Sequence, residues 1–248
     1  MDDSVRVSAS GLERYAWVGG IVFVVALVTE VVIAVGVKGS QNDSATKIAS
    51  LLDEHHQRLI AIACISIVYA VGFVIYLTRL DDKLRAARGR PRFLSSWVLI
   101  GGVLFVTLHG VSDIGITGLV GAKTASYSAA HDPGLSYTLY LLTYALESVG
   151  DVFASLFMLA AGLLVNQSRV LPRWLGWVAI LASPFRFLQG FGLGGVIGTF
   201  GLILDLIGFL LLLTFVLASS IILLSREHSS QVFMDSASPA ADAAPRTA

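Results

Sequence analysis

The stretch Ala16-Trp17-Val18-Gly19-Gly20-Ile21-Val22-Phe23-Val24-Val25-Ala26-Leu27-Val28-Thr29-Glu30-Val31-Val32-Ile33-Ala34-Val35-Gly36-Val37 decides the fold. It is apolar on every face, so no amphipathic period marks one side for a soluble core. A run of about 20 such residues is what one helix needs to cross a bilayer, where no water can satisfy free backbone groups. It also carries one carboxylic acid, Glu30, where insertion is expensive. The same two features recur along the chain.

Five further runs have this length: Leu59–Leu77, Phe93–Val120, Leu135–Val165, Trp174–Phe191 and Gly198–Leu224. The fourth span exceeds one crossing, so its first turns, around Leu135–Tyr140, are expected to project or tilt. The fifth carries Pro184 and Arg186 and runs into Gly190–Gly195, which leaves a kinked, short or re-entrant segment open. A five-span count is the competing reading. The first span is too long for a signal-peptide core, and no small-residue cleavage site follows it.

Composition agrees with a membrane class. Of 248 residues, 55% are hydrophobic and 14% are charged, against about 25% charged in soluble domains, and the mean hydropathy is +0.78. Lys plus Arg equal Asp plus Glu at 17 each, so no basic surplus exists for nucleic acid. The single cysteine, Cys64, excludes an intrachain disulfide framework and a cysteine-rich metal site. No Walker loop or dinucleotide fingerprint appears, and Gly192–Gly195 lacks the strand-turn-helix setting of one. No cofactor is expected.

Basic residues orient the spans. Arg6, Arg14, Arg79, Lys83, Arg85, Arg88, Arg90, Arg92, Arg169, Arg173, Arg226 and Arg246 fall on one side only if six spans exist. Lys38, Lys47, Arg58 and Lys123 fall on the other. The positive-inside rule then puts both termini in the cytoplasm. The expectation is an all-α, six-helix transmembrane bundle over residues 1–228 in the plasma (inner) membrane. A disordered cytoplasmic tail over 229–248, rich in Ala, Ser, Pro and Asp, follows it.

Seven ionisable residues lie inside the spans: Glu30, His109, Asp113, Glu147, Asp151, Arg186 and Asp205. His109 and Asp113 are four apart, with Ser112 beside them and Thr117 one turn on, so they share a helix face. Glu147 and Asp151 are also four apart, and Tyr140, Tyr144 and Ser155 extend their stripe. Counting about 1.5 Å per residue from the cytoplasmic end puts all seven between mid-membrane and the outer half. Five acids cannot all be matched one-to-one by one Arg and one His. One polar chamber near the outer face is expected, with structural ion pairs that fix helix packing as the competing account.

A metal site is not expected. His109, Asp113, Glu147 and Asp151 offer one nitrogen and three carboxylates, but the Glu-x-x-His pairs of di-iron bundles are absent. The Asp53-Glu54-His55-His56 cluster reads as a solvated helix start rather than a zinc site.

The segment Ser168-Arg169-Val170-Leu171-Pro172-Arg173-Trp174-Leu175-Gly176 resembles the Ser-x-x-Leu-Pro-Arg-Trp-Leu-Gly element of an uncharacterised bacterial six-helix membrane family, a domain-of-unknown-function family. There it links the fourth and fifth spans, and Glu30 resembles an acid many members carry near the outer end of helix 1. The resemblance implies fold and membrane location and carries no activity.

The leading functional expectation is an outward-facing acidic chamber that binds or transports a small cationic or amphipathic ligand, with proton coupling. Glu147 and Asp151 form the binding pair, Glu30 and Asp113 accept protons, and Tyr140, Tyr144, Phe185 and Phe187 offer aromatic faces. Six helices without a visible repeat are few for a lone carrier, which points to a homodimer or a partner subunit. Two alternatives stand beside it. One is an intramembrane enzyme that protonates a lipid-soluble substrate, as a terpenoid cyclase or isomerase does. The other is a structural membrane subunit.

Overall fold

The computed structural model describes residues 3–37, 43–86, 92–191 and 199–237, and these are almost entirely helical. The helices are α1 (Asp3–Ala34), α2 (Ala45–Glu54), α3 (His56–Ala86), α4 (Arg92–Gly110), a π-helix (Val111–Gly121), α5 (Ala122–His131), α6 (Pro133–Ser168), α7 (Arg173–Gly190) and α8 (Thr199–Ala237). Local chemistry sets several ends. Asp132 caps α6 by accepting from the Gly134 amide at 3.1 Å, with Pro133 in the first turn. Arg169 ends α6 in the left-handed region at φ 58°, and Pro172 precedes α7.

Five stretches are long and apolar enough to cross a membrane: Tyr15–Ala34, His56–Ala86, Phe93–Gly118, Pro133–Ser168 and Ile203–Glu227. The fifth expected span, α7, is not among them, because Arg173, Arg186 and Gln189 lower its apolar content. Its helix nevertheless runs unbroken through Pro184 to Gly190. Gly192–Gly195 lies outside the described residues, as do Lys38, Arg88, Arg90 and residues 238–248 of the expected tail. The last helix continues to Ala237, beyond the expected tail boundary at Ser229.

Six long helices form a closed ring in chain order, each packed on its neighbours: α1 on α3, α3 on α4, α4 on α6, α6 on α7, α7 on α8, and α8 back on α1. Close crossings hold it where side chains are absent. A Cβ on Gly19 would lie 2.7 Å from the Gly72 carbonyl oxygen, and a Cβ on Gly72 would lie 2.7 Å from that of Gly19. Backbone proximity of this kind drives helix association where lipid removes the hydrophobic force. The short helices α2 and α5 pack against α6. They cover its first turns, which accounts for the extra length around Leu135–Tyr140.

The centre of the ring is layered. Phe23 of α1, Phe73 of α3, Phe105 of α4, Phe157 of α6 and Phe215 of α8 are all buried. Phe73 is the hub, with ring centroids 4.7 Å from Phe23 and 5.6 Å from both Phe105 and Phe157. Below this layer, Tyr76 and Ser219 share a hydrogen bond of 2.7 Å, and Glu227 pairs with Lys83 at 2.8 Å and Arg79 at 3.3 Å. On the other side of the aromatic layer lies the polar chamber. The outer surface of the ring is apolar, with Val25, Val32, Ile67, Val71, Leu181 and Leu206 all exposed.

Candidate functional site

Each helix of the ring contributes to one cavity of about 160 Å³. Glu30 enters from α1, Tyr69 from α3, His109 from α4, Asp113 from the π-helix, Tyr144, Glu147, Ser148 and Asp151 from α6, Arg186 and Gln189 from α7, and Asp205 from α8. All seven ionisable residues expected inside the spans therefore meet in a single space. Phe105 and Phe209 add aromatic walls. A polar cavity of this size has room for several waters, at roughly 10–15 Å³ of such volume for each.

Hydroxyl groups donate to three of the acids. Ser66 donates to Glu30 at 3.3 Å, Tyr69 to Asp113 at 3.1 Å, and Ser112 to Glu147 at 3.0 Å. The other two acids flank the guanidinium. Arg186 Nη2 lies 2.5 Å from Asp151 Oδ1, and Arg186 Nη1 lies 3.2 Å from Asp205 Oδ1. Asp151 Oδ1 is also 3.7 Å from His109 Nε2. Buried ion pairs need such neighbours, because the protein interior does not replace the lost hydration.

Two glycines make this geometry possible. A Cβ on Gly150 would sit 2.5 Å from His109 Nδ1, so the notch beside Asp151 is what admits the imidazole. A Cβ on Gly208 would sit 3.1 Å from Arg186 Cδ, so α8 yields room for the arginine stem. The site is accessible at one edge: the Asp205 side chain is 37% exposed, whereas that of Asp151 is 8% and that of Arg186 is 6%.

Several expected participants lie elsewhere. Tyr140 lines a smaller apolar cavity with Leu52, Leu59 and Thr143, one turn beyond Tyr144. Phe187 is exposed and packs edge-on against Phe191, and Phe185 packs against Gly208; neither lines the chamber. Thr117, expected on the face of His109 and Asp113, lines the smaller cavity of Tyr140 as well, because the segment Val111–Gly121 that carries Asp113 and Thr117 is wound with i→i+5 bonds and departs from the α-helical period. Ser155, expected on the stripe, bonds Ser183 at 3.0 Å and joins α6 to α7 instead.

Ser66 and Tyr69 were not among the expected site residues, because neither places a formal charge in its span. Their three-residue spacing inside an otherwise apolar span was the available signal. Among the described residues, no group of three His, Cys, Asp or Glu side chains is arranged to hold a metal ion. Asp53, from the expected helix-start cluster, accepts from Ser126 at 2.7 Å. No family model matches the chain, and no curated protein or solved structure matches it either.

The chamber combines carboxylates that can receive protons or a cation, one permanent cation, one imidazole, and rings from Tyr69, Phe105, Tyr144 and Phe209. Carboxylates with aromatic faces are the chemistry by which proteins hold organic cations. The space is partly exposed beside Asp205 and lies against the aromatic layer around Phe73 on its other side.

Proposed function

We propose that this protein is a six-span membrane protein whose intramembrane chamber binds a small organic cation, as the ligand-recognition part of a transport function. The observation that carries the reading is the convergence of seven ionisable residues from five spans on one cavity. Separate structural ion pairs would not need to share a space.

In this reading α7 also crosses the membrane, as the fifth of six spans in chain order, and both termini lie in the cytoplasm of the cell whose plasma membrane holds the protein. Support for α7 comes from where its polar groups point. Arg186 is 5% exposed and turned to the acids, while Trp174, Trp177, Leu181 and Leu188 form the exposed face. A helix can be polar on average and still present only apolar surface to lipid. Membership of the six-helix family that the Ser168–Gly176 element resembles belongs to the same proposal.

Asp151 and Glu147, one turn apart on α6, form the acidic wall for the ligand, and Tyr144 and Phe105 supply ring faces. The test is calorimetric titration of the protein in lipid nanodiscs with tetramethylammonium and with guanidinium. Saturable binding is expected, weakened about tenfold or more, about 1.4 kcal/mol, by Glu147→Gln. Membrane abundance of this variant should stay normal. Absence of binding, or loss of the protein itself, would favour a structural subunit. A carboxyl group beside aromatic walls also suits proton-initiated chemistry on a lipid-soluble substrate, which product analysis of a lipid extract would reveal.

A further inference from the structure

His109 is held in one orientation by three independent contacts. Its Nδ1 lies 3.1 Å from the Phe105 carbonyl oxygen, four residues earlier. A carbonyl oxygen only accepts, so Nδ1 carries the hydrogen. The ring packs on Phe105 with centroids 4.6 Å apart, and its other side fills the notch at Gly150. The imidazole is thus a fixed group whose only unassigned atom is Nε2.

That atom faces a carboxylate. Nε2 lies 3.7 Å from Asp151 Oδ1, the same oxygen that Arg186 Nη2 approaches at 2.5 Å. With the imidazole neutral, a nitrogen lone pair points at a carboxylate oxygen, and no hydrogen bond can form between two acceptors. One proton on Nε2 converts the same contact into an attractive, charge-assisted pair. Arg186 shows the matching stress. Its Nε is buried without a hydrogen-bond partner, so the guanidinium is held only by its terminal nitrogens, between Asp151 and the more accessible Asp205.

We infer that His109 is the proton-coupling residue of the chamber: the imidazolium and a bound organic cation compete for Asp151, so that cation binding expels the proton from His109 Nε2. The inference rests on the cation-binding reading above and names how that site is regulated. The balance is simple. An external cation enters beside Asp205, one proton leaves Nε2 for water, and the total charge of the chamber is unchanged. The same exchange run backwards, with a proton entering, releases the cation.

Other groups around the imidazole act on the same equilibrium. Glu30 from α1, Asp113 from the π-helix, Glu147 and Asp151 from α6, and Asp205 from α8 favour the charged ring, and Arg186 from α7 opposes it. Tyr69 from α3 and Tyr144 from α6 complete the walls. The carboxylates could themselves take up the proton. What singles out His109 is geometry: it is the group whose contact with Asp151 changes sign on protonation, whereas a carboxylic acid that gains a proton only loses attraction for the cation.

The sign follows by linkage. The cation prefers the chamber with His109 neutral, so binding strengthens as pH rises and weakens as pH falls through the titration of the imidazole. Below that titration, affinity should fall about tenfold per pH unit, the limit for one proton exchanged per ligand. Tetramethylammonium is the probe, because it cannot itself titrate. Its binding to the full-length protein in nanodiscs is measured between pH 5 and 8, in two buffers of different ionisation enthalpy. Proton release approaching one per cation is expected at the acid end of this range in the wild-type protein and vanishes once the free imidazole is neutral, with His109→Gln binding tetramethylammonium but showing a flat pH profile and no buffer-dependent heat. Binding by the wild type without proton release overturns the coupling and leaves the cation site standing. Undiminished release by His109→Gln assigns the proton to a carboxylate and also overturns it. If His109→Gln does not fold, the nitrogen chemical shifts of the wild-type imidazole decide: Nε2 must lose its proton when tetramethylammonium is added, and an unchanged ring refutes the inference. Absence of binding at every pH refutes both readings.

Discussion

Arg186 on α7 and Asp151 on α6 meet at 2.5 Å in the middle of the helix ring, each 5% exposed, and the same guanidinium reaches Asp205 on α8 at 3.2 Å. This one arginine ties three consecutive long helices together at the level of the chamber. It also explains how a helix with Arg173, Arg186 and Gln189 can sit in a bundle whose outer surface is apolar. Of its two arginines, Arg186 at the level of the chamber is turned inward, and the exposed Arg173 stands at the helix start.

Removal of this cation should be costly. Arg186→Leu leaves the buried Asp151 carboxylate without its cation and beside that of Asp205, and breaking a buried pair from one side typically costs about 3–5 kcal/mol. The expected result is a clear drop in thermal stability in detergent or nanodiscs. Adding Asp151→Asn to Arg186→Leu should recover part of the loss, because the uncompensated charge goes with it. Strictly additive losses in the double variant would mean the two residues are not coupled.

Topology is open to chemical labelling. With the exposed Cys64 first replaced by serine, single cysteines at Lys47 and Lys123 should react with an impermeant thiol reagent added to whole cells. Cysteines at Arg85 and Arg169 should react only after the membrane is opened. Outside labelling at Arg169 together with Arg85 would reverse the orientation. Labelling at Arg169 alone would break the six-span count.

The aromatic layer should behave as the seal beneath the chamber. Phe73 touches Phe23, Tyr76, Phe105 and Phe157, and truncating such a residue to alanine typically costs about 3–5 kcal/mol. Phe73→Leu keeps most of the volume and is the gentler comparison. Proteoliposomes carrying Phe73→Ala should dissipate a proton gradient faster than those carrying wild type or Phe73→Leu. Equal rates in all three would place the barrier elsewhere.

Much of the polar site was legible along the chain because the bilayer makes polarity conspicuous. Glu30, Asp113 and Asp205 stand out against apolar neighbours, and the four-residue spacing of Glu147 and Asp151 is a local property of any helix. Tyr140 shows where that logic stops. It obeys the same spacing from Tyr144, yet it lines a different cavity, because α2 and α5 pack against the turns of α6 that carry it. Phe187 fails for a related reason: being adjacent to Arg186, it must leave the helix on another side, toward the exterior.

The sequence by itself determined the long apolar helices, their apolar exteriors and the shared level of the charged groups along them. These follow from rise per residue and from the cost of unsatisfied polar groups in hydrocarbon. Tertiary structure alone decided which groups meet. The pairing of Arg186 with Asp151 and Asp205, the hydroxyl partners Ser66, Tyr69 and Ser112, and the fixed ring of His109 depend on the rotation of each helix about its own axis. That rotation is set by distant contacts: the Gly19–Gly72 crossing, the notch at Gly150, the gap at Gly208 and the change of winding in the π-helix. No local period encodes it, because each helix finds its phase only against the neighbour it packs on.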